Sequence, residues 1–115
     1  MGATTETVTT TDVIAGTFTP VAIPDNSQVA VEFYVVMKKP ATTTCAFFAK
    51  RATYYRSGAG PVLITATTLE SDAGGTVWTA TLAIVGNTIV PTVTGQASTI
   101  VKSVGQVKYL PVTDT

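Results

Sequence analysis

The stretch from Trp78 to Gly95, WTATLAIVGNTIVPTVTG, constrains the fold more than any other part of the chain. On both sides of Gly86-Asn87 the side chains alternate with a period of two and are rich in β-branched residues, which is typical of half-buried strands. Gly-Asn tolerates the positive φ angles of a two-residue hairpin loop. The stretch therefore predicts a β-hairpin. Its first strand places one set of side chains on a single face: Trp78, Ala80, Leu82 and Ile84.

The rest of the chain also has the pattern of strands separated by short breaks, and no segment has a helical period. The clearest core strand is Val29–Lys38, in which every second residue is apolar and large. About eight such segments follow one another at the spacing typical of sandwiches and barrels. The sequence therefore predicts an all-β, antiparallel β-sandwich, with jelly-roll-like and immunoglobulin-like connectivity both open. Its expected core is centred on Phe33, Val35, Leu82, Ile84 and Trp78.

The length of 115 residues predicts a single domain, which we place at residues 13–115. Residues 1–12 are Thr-rich with Val8 as an apolar anchor, and we expect an extended N-terminal arm there. An edge strand and a frayed terminus are the alternatives. An arm would add a strand to a neighbouring subunit. Its candidate partner-binding residues are Thr4, Thr5 and Val8.

Two single residues carry further expectations. Pro91 cannot donate to a sheet ladder, which predicts that its strand lies at a sheet edge or carries a bulge. Cys45 is the one cysteine of the sequence, so an intramolecular disulfide is excluded. We expect it to be a small buried hydrophobic residue.

The surface is expected to be weakly charged. Charged residues make up 12% of the sequence and the formal net charge is zero, so copies of the chain repel one another little. This composition fits a neutral, Thr-rich free domain. It also fits a surface covered by other copies or by a larger assembly, which is the interpretation we favour.

Catalytic chemistry has little support in the sequence. The chain contains no histidine, which removes the commonest general base and most zinc sites. The acidic residues are scattered, and Glu70 and Asp72 flank a Gly-rich turn rather than forming a glycosidase pair. We therefore predict no enzymatic activity, and no catalytic, cofactor-binding or metal-binding residue.

Basic residues lie on two successive predicted strands and would share one region if those strands pair: Lys38, Lys39, Lys50, Arg51 and Arg56. A net charge of zero gives no general attraction for a polyanion, so nucleic acid is not an expected partner. We interpret Lys50, Arg51 and Arg56 as candidate protein-binding residues.

No secretory signal or membrane-spanning stretch is recognised in the sequence. A membrane is therefore not an expected partner either, and we expect synthesis in a host cytoplasm.

Three segments together resemble a known family. They are similar to a β module of tailed-bacteriophage virion proteins. In chain order the segments are Val29-Ala30-Val31-Glu32, Arg51-Ala52-Thr53-Tyr54-Tyr55-Arg56 within Phe48–Arg56, and the Trp78–Gly95 hairpin. The resemblance covers residues 13–110. It implies a virion structural protein, most similar to a capsid decoration (cement) protein that binds the major capsid protein as a homotrimer. The alternative is a tail-fibre or tail-attached module that recognises host surface glycans, with Tyr54, Tyr55 and Tyr109 as candidate contacts.

Overall fold

The computed structural model describes residues 2–58 and 60–113, and all of the regular structure in that part is β. The predicted all-β class is therefore confirmed. No helix long and apolar enough to cross a membrane occurs among these residues. Nine strands follow in chain order: β1 (Gly2–Thr10), β2 (Gly16–Thr17), β3 (Val21–Ala22), β4 (Ser27–Lys38), β5 (Cys45–Arg56), β6 (Val62–Asp72), β7 (Thr79–Val85), β8 (Thr88–Thr94) and β9 (Val101–Thr113).

The strands form two antiparallel sheets. The larger sheet has the order β1-β9-β4-β5-β6, and β4 pairs over its full twelve residues with β5 and with β9. In the smaller sheet β8 pairs with β7 along one edge and with β2 and β3 along the other. The hairpin predicted at Gly86-Asn87 is confirmed, since Val85 pairs with Thr88 and Gly86 has a φ of 58°.

The core lies between the two sheets, and β4 supplies its centre. The inward-facing residues of this strand are no more than 1% exposed, as the alternation predicts: Val29, Val31, Phe33, Val35 and Met37. The rings of Phe33 and Phe18 meet edge to face with centroids 5.2 Å apart. Trp78 is also buried, at 2% exposure, so three of the five predicted core residues are confirmed.

The second half of β7 departs from the prediction. Leu82 is only half-buried, and Ile84 is 45% exposed. Exposure increases along β7 toward the hairpin turn, because the strand runs past the covered part of the core. The alternation therefore predicted the β7 strand correctly, but the prediction that Ile84 belongs to the core is wrong.

Pro91 lies in a central strand, so the prediction of an edge position is wrong. The neighbouring edge is interrupted beside it: β2 pairs with Thr92 and Val93, whereas β3 pairs with Thr88 and Ile89. In an antiparallel ladder the N–H and C=O of one residue point to the same neighbour. The Pro91 carbonyl accepts a hydrogen bond from the Phe18 N–H at 2.9 Å. The missing N–H of proline therefore falls where the partner strand is broken.

The N-terminal segment is strand β1, which corrects the expected arm over residues 1–12 from Gly2 to Thr10. β1 pairs residue by residue with β9 of its own chain. It also closes this side of the sandwich, since Glu6 Oε1 accepts a hydrogen bond from Thr19 N–H at 2.9 Å. A Cβ on Gly16 of β2 would lie 2.6 Å from Val8 Cγ1. The edge of β9 offers a full-length partner within the molecule, and β1 occupies it.

Cys45 is exposed rather than buried, so that prediction is wrong. Its register partner is Lys38, an outward-facing residue of β4. Side chains alternate along β5, so Ala46 faces the core, at 3% exposure, and its neighbour Cys45 faces outward.

The loop before β4 is held to the β5–β6 loop by Asp25. Its carboxylate accepts hydrogen bonds from Gly58 N–H at 2.5 Å and from Asn26 N–H at 2.9 Å. The hydrogen bond from Gly58, reinforced by that from Asn26 and by the charge of Arg56, holds the pKa of Asp25 below its ordinary value of 3.8.

We expect an NMR titration to place the Asp25 pKa below 3.8. A depressed carboxyl pKa stabilises the fold above its unfolded-state value, and this contribution is lost as the pH falls through the folded-state value. Asp25→Ala should therefore lose less stability on acidification than the wild type does. An Asp25 that titrates at or above 3.8 would show that the Gly58 contact does not persist in solution.

Candidate interaction site

The two sides of the sandwich, where the edges of the sheets meet, differ in how they are closed. On one side β1 and β2 are in contact, as described above. On the other side β6 is the edge of the larger sheet and β7 is the edge of the smaller sheet, and neither has a second strand neighbour within the described chain. All eleven residues of β6 are exposed. Strand β6 therefore presents both its faces and one backbone edge to solvent.

A cleft of about 220 Å³ separates β6 from β7. Its walls are mixed: Leu63 and Ala66 from β6 and Ala80 and Leu82 from β7 are apolar, whereas Lys50, Arg51 and three threonines are polar. The Lys50 ammonium donates a hydrogen bond to Thr68 Oγ1 at 3.2 Å in the same cleft. At the hairpin end the loop before β6 approaches the turn, since a Cβ on Gly60 would lie 3.2 Å from the Gly86 carbonyl oxygen. We call the exposed strand β6, the cleft and β7 the open side.

Val62–Leu69 is one of the roughly eight strand segments that the sequence pattern predicts, but the pattern did not indicate an interaction site there. The signal was present as an eight-residue run, VLITATTL, with four large apolar residues and no charge. Such a run is consistent with a buried strand as well as with an exposed one. Only the sheet order shows that nothing in the described chain covers it.

The predicted residues of the N-terminal segment do not form a free arm. Thr4 and Thr5 pair in register with Val107 and Gln106. Val8 is partly buried and packs against the core. The side chain of Thr5 is exposed, and that of Thr4 lies outside the described part of the chain.

The three predicted basic residues point in different directions. Lys50 faces the cleft, as its contact with Thr68 shows, whereas Arg51 lies on the outer face opposite Glu32. Arg56 is half-buried, and its Nη1 donates a hydrogen bond to the Ile23 carbonyl oxygen at 2.9 Å. Lys50 and Arg51 both contribute to the lining of the cleft, whereas Arg56 is held at the Ile23 carbonyl away from it.

The wider basic group is also dispersed, and the expectation that its members share one region is wrong. Antiparallel pairing places Lys38 opposite Cys45 and Arg56 opposite Ser27, at the two ends of the ladder between β4 and β5. At a rise of about 3.3 Å per residue, these ends are roughly 36 Å apart. The predicted pairing of β4 with β5 occurs, but because the strands are antiparallel, Lys38 and Arg56 lie at opposite ends of the ladder.

The tyrosines proposed as glycan contacts do not assemble into a groove. Tyr54 is 2% exposed, and its burial raises the pKa of the phenol. Tyr109 packs against the core, and Tyr55 lies half-buried opposite Gln28. Tyr54 is therefore a core residue, and the other two belong to different environments.

The outer face of the larger sheet carries a polar network at its centre. The Tyr34 hydroxyl donates a hydrogen bond to the Glu32 carboxylate, which raises the pKa of Tyr34. The Lys108 ammonium lies 5.7 Å from the centre of the Tyr34 ring, a cation–π distance. Arg51 and Lys108 flank Glu32 in register. Glu32 thus lies between two cationic residues and accepts a hydrogen bond from Tyr34.

Beyond this network the outer face has a shallow groove of about 420 Å³. Val36 and Val104 form its floor in register, and Lys38 and Lys102 face each other at its rim. Like charges that are directly opposite one another across strands are unfavourable. The groove is a secondary candidate for contact with an acidic group.

No cluster of three or more His, Cys, Asp or Glu side chains that could hold a metal ion occurs among residues 2–58 and 60–113. The carboxylates of Glu32 and Asp25 have the structural partners given above. The open side offers unpaired backbone edges and apolar side chains, which suit strand addition and protein contact rather than bond chemistry.

No protein-family model matches the sequence, and no curated protein matches it either. Three solved structures share a similar arrangement of strands. One is a tailspike protein, gp49, of the Acinetobacter baumannii bacteriophage Fri1, described as a capsular polysaccharide depolymerase, with 12% identity and a TM-score of 0.47. The others are tailspike proteins of the Acinetobacter phage vB_ApiP_P1 (14%, 0.49) and of the A. baumannii phage AM24 (11%, 0.44).

These matches cover 96%, 92% and 96% of this chain, respectively. They cover only 19%, 21% and 28% of the tailspike chains in the same order. The present chain thus spans about a fifth to a quarter of the length of those proteins. Similarity at this level does not establish a shared activity, substrate or partner.

Proposed function

We propose that this chain is a non-catalytic structural module of a tailed-phage virion that acts through protein–protein contacts. The observation that carries the interaction role is the open side, where an eleven-residue edge strand is exposed along its whole length. In a free monomer the apolar side chains of this strand stay in water and contribute no hydrophobic stabilisation. Their burial would be favourable. Contact with a neighbouring protein would supply that burial.

The assignment to a phage virion rests on the sequence resemblance. The Arg51–Arg56 segment and the Trp78–Gly95 hairpin, which carry that resemblance, form parts of β5, β7 and β8. These strands belong to both sheets, so the resemblance extends across the sandwich. The exposed edge strand and apolar side chains of the open side support a structural role through protein contact.

The module has two candidate attachments. In one it decorates the capsid shell as a trimer bound to the major capsid protein, and in the other it is part of the tail. The sequence resemblance names the first. The structures with a similar strand arrangement are tail proteins, so the tail is a location to test alongside the shell.

Copy number in purified virions tests the proposal. Quantitative mass spectrometry against the major capsid protein should find the chain at a fixed stoichiometry. Hundreds of copies per particle would assign it to the shell, and a few copies would assign it to the tail. Immunogold labelling should agree with the count. Absence from purified particles would contradict the virion assignment.

A further inference from the structure

We infer that the open side, formed by β6, the cleft and β7, is the surface through which copies of this chain associate. The inference deepens the proposed function by naming the surface and the occupant, and it rests on that function only for the biological setting.

The open side exposes an apolar strip that extends over both faces of β6 and onto β7. Six large aliphatic residues on its two strands are between 39% and 63% exposed: Val62, Leu63, Ile64, Leu69, Ile84 and Val85. Leu63 and Leu82 line the same cleft, which joins the two strands into one surface. Together the six residues expose on the order of 500 Å² of apolar surface, a patch size that marks interaction sites on proteins.

The edge strand has little of the charge that keeps sheet edges apart, since its two acidic residues, Glu70 and Asp72, lie at its C-terminal end. Natural sheets protect their edges with lysine, proline or inward-pointing charge. Val62–Leu69 contains none of these, and neither a charge nor a proline occurs in Thr79–Val85. Strand β6 does carry two irregularities in its pairing with β5, at Ile64 and Leu69. They increase the local twist, yet they leave both of these side chains exposed.

An occupant must therefore supply a sheet edge or an extended segment, together with uncharged apolar side chains. A polyanion or a lipid headgroup finds no cationic side chain along Val62–Leu69. A second copy has both an unpaired edge and an apolar strip, and with a formal net charge of zero it is not repelled.

The area is also sufficient for self-association. Contact between two copies would cover about 1,000 Å² from the six residues on each, close to the lower limit of specific protein interfaces. Backbone pairing between edges would add to this area. On the closed side the edge strands β1 and β2 already contact each other, so the open side is the preferred contact.

The test compares two double variants of matched spacing and exposure. Val62→Lys with Ile64→Lys places two charges on the open side. Leu110→Lys with Val112→Lys places two charges on the outer face of β9, where the native residues are 55% and 65% exposed. Light scattering after size-exclusion chromatography gives the mass of each, against 11.9 kDa for the monomer.

We expect the wild type and the β9 variant to form the same oligomer and the β6 variant to be monomeric, or to associate at least about tenfold more weakly, since burial of unpaired charge is unfavourable. Circular dichroism checks that each variant keeps its strand spectrum. If the β6 variant fails to fold, hydrogen exchange of the wild type decides: the β6 amides should become protected as concentration rises.

The inference is overturned by a wild type that is monomeric at every concentration, by a β6 variant of unchanged mass, or by β6 amides whose exchange is independent of concentration. A monomer that is nevertheless found in virions would leave the proposed function standing and remove only this surface. An oligomer that is absent from virions would support this surface and contradict the proposed function.

Discussion

Replacing Trp78 by alanine is expected to lower the free energy of unfolding by about 3–5 kcal/mol, the usual cost of truncating a buried aromatic residue. Trp78 is 2% exposed and belongs to the core cluster between the sheets. Its indole Nε1 is buried and has no hydrogen-bond partner among the described residues. Trp78→Phe therefore removes no hydrogen bond and should cost clearly less than Trp78→Ala. Urea denaturation of the three proteins measures the difference.

Val13→Ala is the control, because Val13 is 59% exposed and surface truncations usually change stability by less than about 0.5 kcal/mol. A Trp78→Ala cost below about 1 kcal/mol would mean that the indole is exposed in solution. A Trp78→Phe cost equal to that of Trp78→Ala would instead point to an indole hydrogen bond, for example to a buried water.

Substituting Gly105 by alanine is expected to cost about 1–3 kcal/mol through overpacking. A Cβ on Gly105 would lie 2.8 Å and 2.9 Å from ring atoms of Phe18 and 3.0 Å from a ring atom of Phe33. Both rings are buried and packed against each other, so neither can move away freely. Gly105 thus provides the space in β9 that the aromatic pair occupies.

A double-mutant cycle with Phe18→Leu isolates this effect. The leucine side chain removes the far edge of the ring, so Gly105→Ala should cost much less in that background. Contacting residues show such coupling, whereas independent sites add. Additive costs would show that the alanine acts through the backbone of β9 rather than through the rings.

The fold was predictable where local pattern and burial agree. Val29 to Met37 alternate in sequence and in exposure because both faces of β4 have fixed environments: the core on one and solvent on the other. The hairpin at Gly86 was predictable because turn chemistry is local. Ile84 was mispredicted because alternation gives the relative phase of side chains but not how far the opposite sheet extends. Cys45 was mispredicted because its strand has the opposite phase, with Ala46 facing the core.

The candidate site was not predictable for a related reason. Whether the run from Val62 to Leu69 is central or at an edge depends on the order of strands, which is set by partners distant in sequence. The same applies to Pro91, which a broken neighbouring edge accommodates. The scattering of Lys38 and Arg56 follows from antiparallel pairing between β4 and β5, which places the ends of the two strands far apart.

The position of β9 between β1 and β4 fixes the order in which the chain can fold during synthesis. Strands β4, β5 and β6 are neighbours in sequence and in the sheet, so they can pair early. β1 has no partner until β9 has left the ribosome, nearly a hundred residues later. Such distant pairings are slow to form. The nascent chain therefore exposes the uncharged run Val62–Leu69 of β6 before the sheet is complete, which is when unintended aggregation occurs most readily.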